Sequence, residues 1–298
     1  ERGPVVGLGV ETSRLLGRDH YLRFEVEADE NDRRYRLLTR SDDLFGTEPR
    51  VALLLESRQQ SANDRFDFDL SAASARVGLG WSLAQGWDAT TYLLLSRDSI
   101  EDVAPGASRL IAADEGTTDR VALGGEIDYV LRDAATGRSL RLDAALEIGK
   151  REDAGASYLK LSGGAAATLP AFGGRVVMNQ EMRAGVLDSR GSVSSIGDRY
   201  ILGSGTIRGF ELAGFGPRDV AAPGEPALGG NRFVTARVTS WFPNAIPGAD
   251  RVAPGVFVDA ASLWGLDDTA GGPNGASPVD DDFSLRYEHR RLYLWMTY

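Results

Sequence analysis

The chain of 298 residues is 42% hydrophobic and 26% charged, with a formal net charge of -10 at pH 7. This balance excludes a disordered chain, and the acidic excess argues against a broad surface for nucleic acid. Cysteine is absent, which excludes disulfides, thiolate metal sites and a cysteine nucleophile. The two histidines, His20 and His289, show no His/Asp/Glu spacing of a metal site, so we expect neither a metal nor a cofactor.

Membrane helices are not indicated, because no run approaches the roughly 20 apolar residues that one requires. A chain of this kind could cross a membrane only as a closed β-barrel, in which every backbone polar group is paired between strands.

Alternation of polar and apolar residues, the pattern of β-strands, recurs along the whole chain. It is cleanest at 21–27, 139–144 and 177–183, where the last segment places Asn179, Glu181 and Arg183 on one face. Further candidate strands lie near 3–12, 33–41, 49–59, 65–82, 87–97, 119–132, 156–169, 231–242, 252–264 and 286–298.

The connections predicted between these strands are short at one end and long at the other, with long ones near 98–118, 203–230 and 266–284. Strands of about ten residues with this arrangement are typical of outer-membrane barrels. Several exceed the roughly 5–6 residues usual in soluble sheets. A soluble sandwich or barrel also alternates, so periodicity by itself leaves both architectures open.

Tryptophans lie near the ends of several predicted strands, where they would suit the aromatic girdles of a membrane barrel, with core packing as the alternative for each. They are Trp81, Trp87, Trp241, Trp264 and Trp295. Asp267, Asp268 and residues 280–282 flank a loop rich in glycine and proline, which indicates a solvated loop in preference to a calcium site.

Residues 196–231 and 255–265 carry a more specific signal than the strand rhythm. In order, the blocks are Ile207-Arg208-Gly209-Phe210, Gly216-Pro217-Arg218-Asp219, Gly229-Gly230-Asn231 and the strand GVFVDAASLWG at 255–265. Their content, order and spacing resemble the BamA/TamA superfamily, the outer membrane protein 85 family. The similarity is nearest to BamA barrels of alphaproteobacteria and runs from about residue 3 to 286.

The resemblance implies an all-β fold, a transmembrane antiparallel β-barrel with about 16 strands in the family. Residues 1–298 would form one membrane-embedded barrel domain, with the periplasmic POTRA repeats and the first strand lying upstream of this chain. The closing strands are not recognisable, because segment 287–298 departs from the family pattern. As a generic strand, that segment would place Leu292, Leu294, Met296 and Tyr298 on one face.

The resemblance also implies that the loop carrying Arg208 folds back into the barrel lumen. There the guanidinium, with its fixed fork of donors, would pair with Asp259 on the wall. Gly209 would permit a tight turn, and Phe210 would pack against the wall. Thr239 stands where the family often has a second acid, so we expect one carboxylate partner for Arg208 in place of two.

In function, the resemblance implies a non-enzymatic assembly factor of the bacterial outer membrane. Client β-barrels would be inserted at a lateral seam, the weak junction between the first and last strands, by pairing with an exposed strand edge. The implied partners are outer-membrane protein clients, periplasmic chaperones, BAM lipoproteins and the lipid and lipopolysaccharide membrane, but no nucleic acid. The alternatives are a TamA-like or two-partner-secretion translocator, a passive outer-membrane pore and a soluble β-rich binding protein.

Overall fold

The computed structural model describes residues 6–13, 20–30, 32–42, 48–61, 68–152, 155–203, 205–210, 213–219, 222–243, 245–246 and 253–268. These residues form one antiparallel sheet of twelve strands in chain order, in which each strand pairs with the next. The strands are β1 (Val6–Thr12), β2 (His20–Ala28), β3 (Asp32–Ser41), β4 (Arg50–Gln60), β5 (Asp69–Ala84), β6 (Trp87–Glu101), β7 (Gly116–Asp133), β8 (Arg138–Arg151), β9 (Ala156–Ala171), β10 (Val176–Arg190), β11 (Arg232–Trp241) and β12 (Gly255–Trp264).

Helical structure in the described part of the chain is limited to α1 (Arg109–Ala112) and a 3-10 turn (Phe172–Gly174). No helix among the described residues is long and apolar enough to span a membrane.

The all-β prediction is confirmed, and twelve of the predicted strands coincide in order with β1 to β12. The predicted strand at 286–298 lies outside the described residues. Several strands are longer than predicted: β8 and β10 extend well past the clean alternation at 139–144 and 177–183. Backbone pairing with two neighbours continues through residues such as Gly149 and Gly185, whose missing side chains interrupt the pattern in the sequence.

The long connections β6–β7 and β10–β11, and the one that begins after β12, all lie at the same end of the sheet, here called the long-loop end. The opposite end, here called the short-turn end, includes the two-residue turn between β5 and β6, but the connection between β11 and β12 at this end is long and spans 242–254, so the predicted contrast in length holds only in part. The β6–β7 connection is shorter than predicted, because Ile100 and Gly116 still pair and thus extend both strands.

The two faces of the sheet differ in polarity. The outward face exposes large apolar side chains such as Leu123, Ile148 and Val258, which are 66%, 56% and 71% exposed. The opposite face, here called the inner face, carries linked polar groups, including Asn179, which accepts a hydrogen bond from Thr168 at 3.0 Å. An apolar outside around a polar inside is the arrangement of a barrel wall that faces lipid.

Two tyrosines on the inner face lie directly over glycines of a neighbouring strand. A Cβ atom on Gly124 would meet Tyr92 at 2.0 Å, and one on Gly149 would meet Tyr158 at 2.4 Å. Both phenols donate to the Glu147 carboxylate, at 2.9 and 2.8 Å. The glycines therefore let two aromatic rings lie flat and join β6, β8 and β9 through one acid.

The described tryptophans are at strand ends. Trp81, Trp87 and Trp241 lie at the short-turn ends of their strands, and Trp264 ends β12 at the long-loop end. Trp87 packs against Tyr129, with ring centroids 4.6 Å apart. This placement suits an interfacial girdle. Trp295 lies outside the described residues.

The largest apolar cluster is at the long-loop end. It joins the start of β5, the end of β6, helix α1, the β10–β11 loop and the residues after β12 through Phe68, Ile100, Leu110, Ile111, Ile196, Ala213, Ala227, Leu228 and Leu266. Ile111 and Leu228 are fully buried in it. The β10–β11 loop therefore forms a hydrophobic core together with these neighbouring elements.

Candidate functional site

Residues 191–231 connect β10 to β11, and we call this segment the inner loop; its described residues lie against the inner face. It has order of its own: Tyr200 and Gly230 exchange backbone hydrogen bonds of 2.9 Å. Isolated bridges also join Leu202 to Phe215 and Arg218 to Ala227. These pairings turn the loop back on itself and present its middle to the sheet.

The centre of the candidate site is the contact between Arg208 of the inner loop and Asp259 of β12. The Arg208 backbone amide and its Nε atom both donate to Asp259 Oδ2 at 2.9 Å, and Nη2 donates to Oδ1. The Asp259 side chain is only 4% exposed. A two-pronged, charge-assisted contact to a buried carboxylate defines both the position and the orientation of the guanidinium.

Two further wall residues complete the surroundings of this guanidinium. Nη1 of Arg208 donates to the Thr239 hydroxyl on β11 at 2.9 Å. The guanidinium carbon lies 3.8 Å from the centre of the Phe257 ring, a cation–π distance. Arg208 thus has one carboxylate, a hydroxyl and an aromatic face, and Thr239 supplies a neutral acceptor.

The neighbours of Arg208 place it by packing. Ile207 is 3% exposed and lies in an apolar cluster with Ala261 and Leu263 of β12, against which Phe210 also packs. Phe210 makes its ring contact within the loop, edge-on to Phe215 at 5.3 Å. Gly209 has a φ of 88°, the left-handed region that favours glycine, so its role is conformational.

The second block, at 216–219, holds the inner loop together. Arg218 donates to the carbonyl oxygens of Ala213 and Glu225, both at 2.9 Å. Pro217 is buried, and Asp219 is fully buried with a carboxylate that accepts a backbone amide at 3.3 Å. These hydrogen bonds organise the loop.

Glycines of the second and third blocks allow the loop to touch the wall closely. A Cβ atom on Gly216 would meet Leu263 at 2.4 Å, and one on Gly230 would meet the Trp264 carbonyl oxygen at 2.8 Å. A Cβ atom on Gly229 would meet the Tyr200 carbonyl oxygen at 2.8 Å. Any larger residue at these places would push the loop from β12 or from itself.

Two acids at the long-loop end accept hydrogen bonds from backbone amides and one side-chain amide of the inner loop. Asp267 accepts from the Ser194 amide and from Asn231 Nδ2, both at 2.8 Å. Asp114, just after α1, accepts from the Ile196 amide at 2.7 Å, and burial raises the pKa of this carboxyl. Asp114 stands in no motif of the sequence, and Asp267, predicted to lie in a solvated loop, is instead bonded to the inner loop.

Arg199 is a second arginine of the inner loop, and it faces inward within the loop. Its Nε donates to Ser194 Oγ at 3.0 Å and its Nη1 to the Leu228 carbonyl at 3.1 Å. Burial lowers the pKa of its guanidinium. The sequence indicates no partner for Arg199, whereas it pairs Arg208 with an acid on a later strand.

Comparison with known proteins gives the site its context. Residues 14–280 match the Omp85 superfamily domain. The fold is similar to the crystal structure of BamA from Haemophilus ducreyi lacking POTRA domains 1-3, with a TM-score of 0.70 and 16% identity over 88% of this chain and 55% of that one. It is also similar to CdiB from Acinetobacter baumannii, with a TM-score of 0.57 and 12% identity over 90% of this chain and 48% of that one.

The chain thus spans about half the length of either solved protein. At these identities the likeness concerns the fold alone. A search of curated protein sequences found no match. The family match covers nearly the whole chain, and this protein therefore belongs to the Omp85 superfamily.

Proposed function

We propose that this chain is the membrane barrel of a BamA-like factor that inserts β-barrel clients into the bacterial outer membrane. The observation that carries the proposal is the fastening of the inner loop to the wall, where Arg208 meets Asp259 and Thr239. The polar inner face and the apolar outer face support a place in a lipid bilayer. The similarity of fold to BamA supports insertion as the activity.

The proposed mechanism makes and breaks no covalent bond. The anchored inner loop holds the wall from β10 to β12 in one arrangement, and the long-loop end faces outward from the cell. Clients pair with a strand edge at the lateral seam, because an unpaired edge offers a row of backbone donors and acceptors. Thinned lipid beside the seam would lower the free energy of insertion.

The remaining parts of the proposal concern the whole protein. Residues 1–298 act as one barrel domain, preceded by POTRA repeats in the full-length chain. The partners are unfolded outer-membrane proteins, periplasmic chaperones and BAM lipoproteins, in a membrane of lipid and lipopolysaccharide. We propose that the activity is not enzymatic and that the barrel is of the alphaproteobacterial BamA kind.

A second candidate is translocation of a secreted partner protein. The similarity of fold to CdiB is the observation that favours it. Because both candidates use the same kind of barrel and inner loop, the distinction between them depends on the substrate, and a functional assay must supply it.

The deciding experiment reconstitutes the full-length protein into lipid vesicles and adds a urea-denatured eight-stranded outer-membrane barrel with a periplasmic chaperone. We expect the client to become resistant to protease faster than in empty vesicles. Arg208→Ala should slow insertion by about tenfold or more, because it removes a charge-assisted contact to a buried acid.

Arg190→Ala is the matched control, because Arg190 pairs with Asp188 on the surface with 80% of its side chain exposed. It should insert clients at the parental rate. A parental rate for Arg208→Ala would contradict the part assigned to the loop. No gain over empty vesicles, together with passage of an unfolded secreted protein, would favour translocation.

A further inference from the structure

Asp198 is an acid of the inner loop that is buried against a different part of the wall from Arg208. Its side chain is 6% exposed, and its Oδ1 atom lies 2.8 Å from Nε of Arg120 on β7. Its Oδ2 atom lies 3.7 Å from Nε of Arg151 on β8. Both arginine side chains are 5% exposed, so this cluster of charges is more deeply buried than the Arg208 site.

Side chains of β8 and β9 also donate hydrogen bonds to the loop around Asp198. Lys160 on β9 donates from Nζ to the Asp198 carbonyl at 3.0 Å. Nη2 of Arg151 donates to the Val193 carbonyl at 2.8 Å and also to the Ser192 hydroxyl. Three consecutive strands therefore hold residues 192–198 through their inward-facing cations.

Asp198 brings a negative charge to three cations of the wall, Arg120, Arg151 and Lys160. Arg120 also pairs with Asp98 on β6, which leaves the positive charge of Arg151 facing Asp198. If Asp198 were neutral while the loop stayed in place, Arg120 would keep Asp98, but Arg151, whose side chain is 5% exposed, would lose its nearby loop carboxylate. An uncompensated buried charge is strongly destabilising, so the wall itself favours a loop that carries an acid at position 198.

From this geometry we infer that Asp198 is a second anchor of the inner loop, a positioning residue separate from the Arg208–Asp259 contact. The two anchors use opposite polarities: at Asp198 the loop supplies the acid and the wall the cations, whereas at Arg208 the loop supplies the cation. They also use different strands, β7 and β8 at one and β11 and β12 at the other.

The consequence is that release of Arg208 alone leaves the start of the inner loop in place. Full release requires both contacts to break. The importance of this for client insertion rests on the proposed function, but the anchoring itself is a property of the loop that is measured without any client.

The test uses the full-length protein, refolded in detergent, with a nitroxide spin label on Val193→Cys. Val193 is 42% exposed, and the chain contains no cysteine of its own. Asp198→Asn keeps the size of the side chain and removes its charge. We expect the mobile component of the spectrum to rise roughly tenfold, because a buried ion pair loses one partner. Asp259→Asn should leave this label immobile, and Asp198→Glu should restore part of the immobile signal.

The control variant Asp188→Asn removes an exposed acid of β10 and should not change the spectrum. Heat-modified migration on a gel shows whether each barrel has folded. If Asp198→Asn keeps the parental spectrum while the barrel melts at a lower temperature, the acid only neutralises the wall, and the anchor is overturned. If Asp259→Asn mobilises the label as strongly, the two contacts are one unit, and the inference of separate anchors is overturned.

The insertion assay separates this inference from the proposed function. A mobile label in Asp198→Asn with slowed insertion supports both. A mobile label with parental insertion keeps the anchor and overturns the proposed part of the loop in insertion.

Discussion

Asp259 and Arg237 lie 3.8 Å apart, so the acid that receives Arg208 also faces a second arginine on the neighbouring strand. Arg237 in turn lies 3.7 Å from Glu181 on β10. Charges of alternating sign therefore cross three strands and end at the inner loop. Since Asp259 is nearly buried, it keeps Arg237 as a cationic partner when Arg208 is absent, and Arg237 in turn keeps Glu181 when Asp259 is absent, whereas Arg208 pairs with Asp259 as its carboxylate.

Because of this arrangement, substitutions of Arg208 and of Asp259 should lower the free energy of unfolding by different amounts. Arg208→Met leaves Asp259 beside Arg237, but Asp259→Asn leaves Arg208 without its carboxylate. We expect Asp259→Asn to lower the free energy of unfolding by about 1 kcal/mol or more beyond Arg208→Met. Urea unfolding of the full-length protein in detergent micelles measures both, and a double-mutant cycle isolates their coupling. Equal costs, or fully additive ones, would show that the pair does not act as described.

Thr239 should contribute through its hydroxyl alone. Thr239→Val preserves the shape of the side chain but leaves Nη1 of Arg208 without this acceptor, and we expect a loss of about 1 kcal/mol. Thr168→Val is the matched control, because Thr168 also lies on the inner face but bonds to a neutral amide, that of Asn179. Unfolding in urea should separate the two variants, and a cost for Thr168→Val as large as for Thr239→Val would contradict a special role for the guanidinium contact.

Close packing of the inner loop on β12 can be tested at two glycines with the same backbone conformation. Gly216 and Gly205 both have a φ of 108°, but a Cβ atom would meet Leu263 at 2.4 Å in the first and nothing within 4 Å in the second. Gly216→Ala should therefore be less stable than Gly205→Ala by about 1–3 kcal/mol, the usual effect of overpacking. The difference between their melting temperatures measures it, and equal melting would mean that Leu263 moves aside freely.

Asp114 should make the stability of the long-loop end depend on pH. Burial raises its pKa in the folded protein above the ordinary value of 3.8, so folding favours the protonated acid. Its contribution to stability is present below 3.8 and is lost as the pH rises through the raised pKa. Asp114→Asn lacks this titration, so the stability of the variant relative to the parent should increase with pH across that interval.

Melting temperatures of parent and variant across the acidic range test this prediction. Asp188→Asn is the control for the removal of an exposed carboxylate. A constant difference between Asp114→Asn and the parent, or one that shrinks with rising pH, would contradict the assigned effect of burial.

Much of the wall could be predicted from the sequence, because a strand with one face toward lipid and one toward a polar interior must alternate with a period of two. The residues 177–183 show this, and β10 carries their polar face inward. The ends of strands were less predictable. Gly149 and Gly185 interrupt the alternation but still pair, because a backbone ladder does not need side chains.

In the candidate site as well, some residues could be predicted from the sequence and others could not. Arg208 and Asp259 could be named from the sequence, because they stand in blocks that resemble a known family in order and spacing. Asp198 stands in the same stretch, but neither Arg120 nor Arg151 belongs to a recognisable motif. The expected contact of Phe210 with the wall is shared with Phe215 of the loop, since a side chain in a folded loop packs first on its own neighbours.

The sequence by itself determined the class of fold, the order of the strands, the polarity of the two faces and the family, because each depends on local periodicity or on a contiguous block. Only the tertiary structure decided which inward-facing charges meet. Arg120 and Arg151 lie on neighbouring strands, and Asp198 arrives from a loop more than forty residues later in the chain. The physical reason is that register and loop path bring these groups together, while a charge on the inner face looks the same in the sequence whether it faces water or an ion partner.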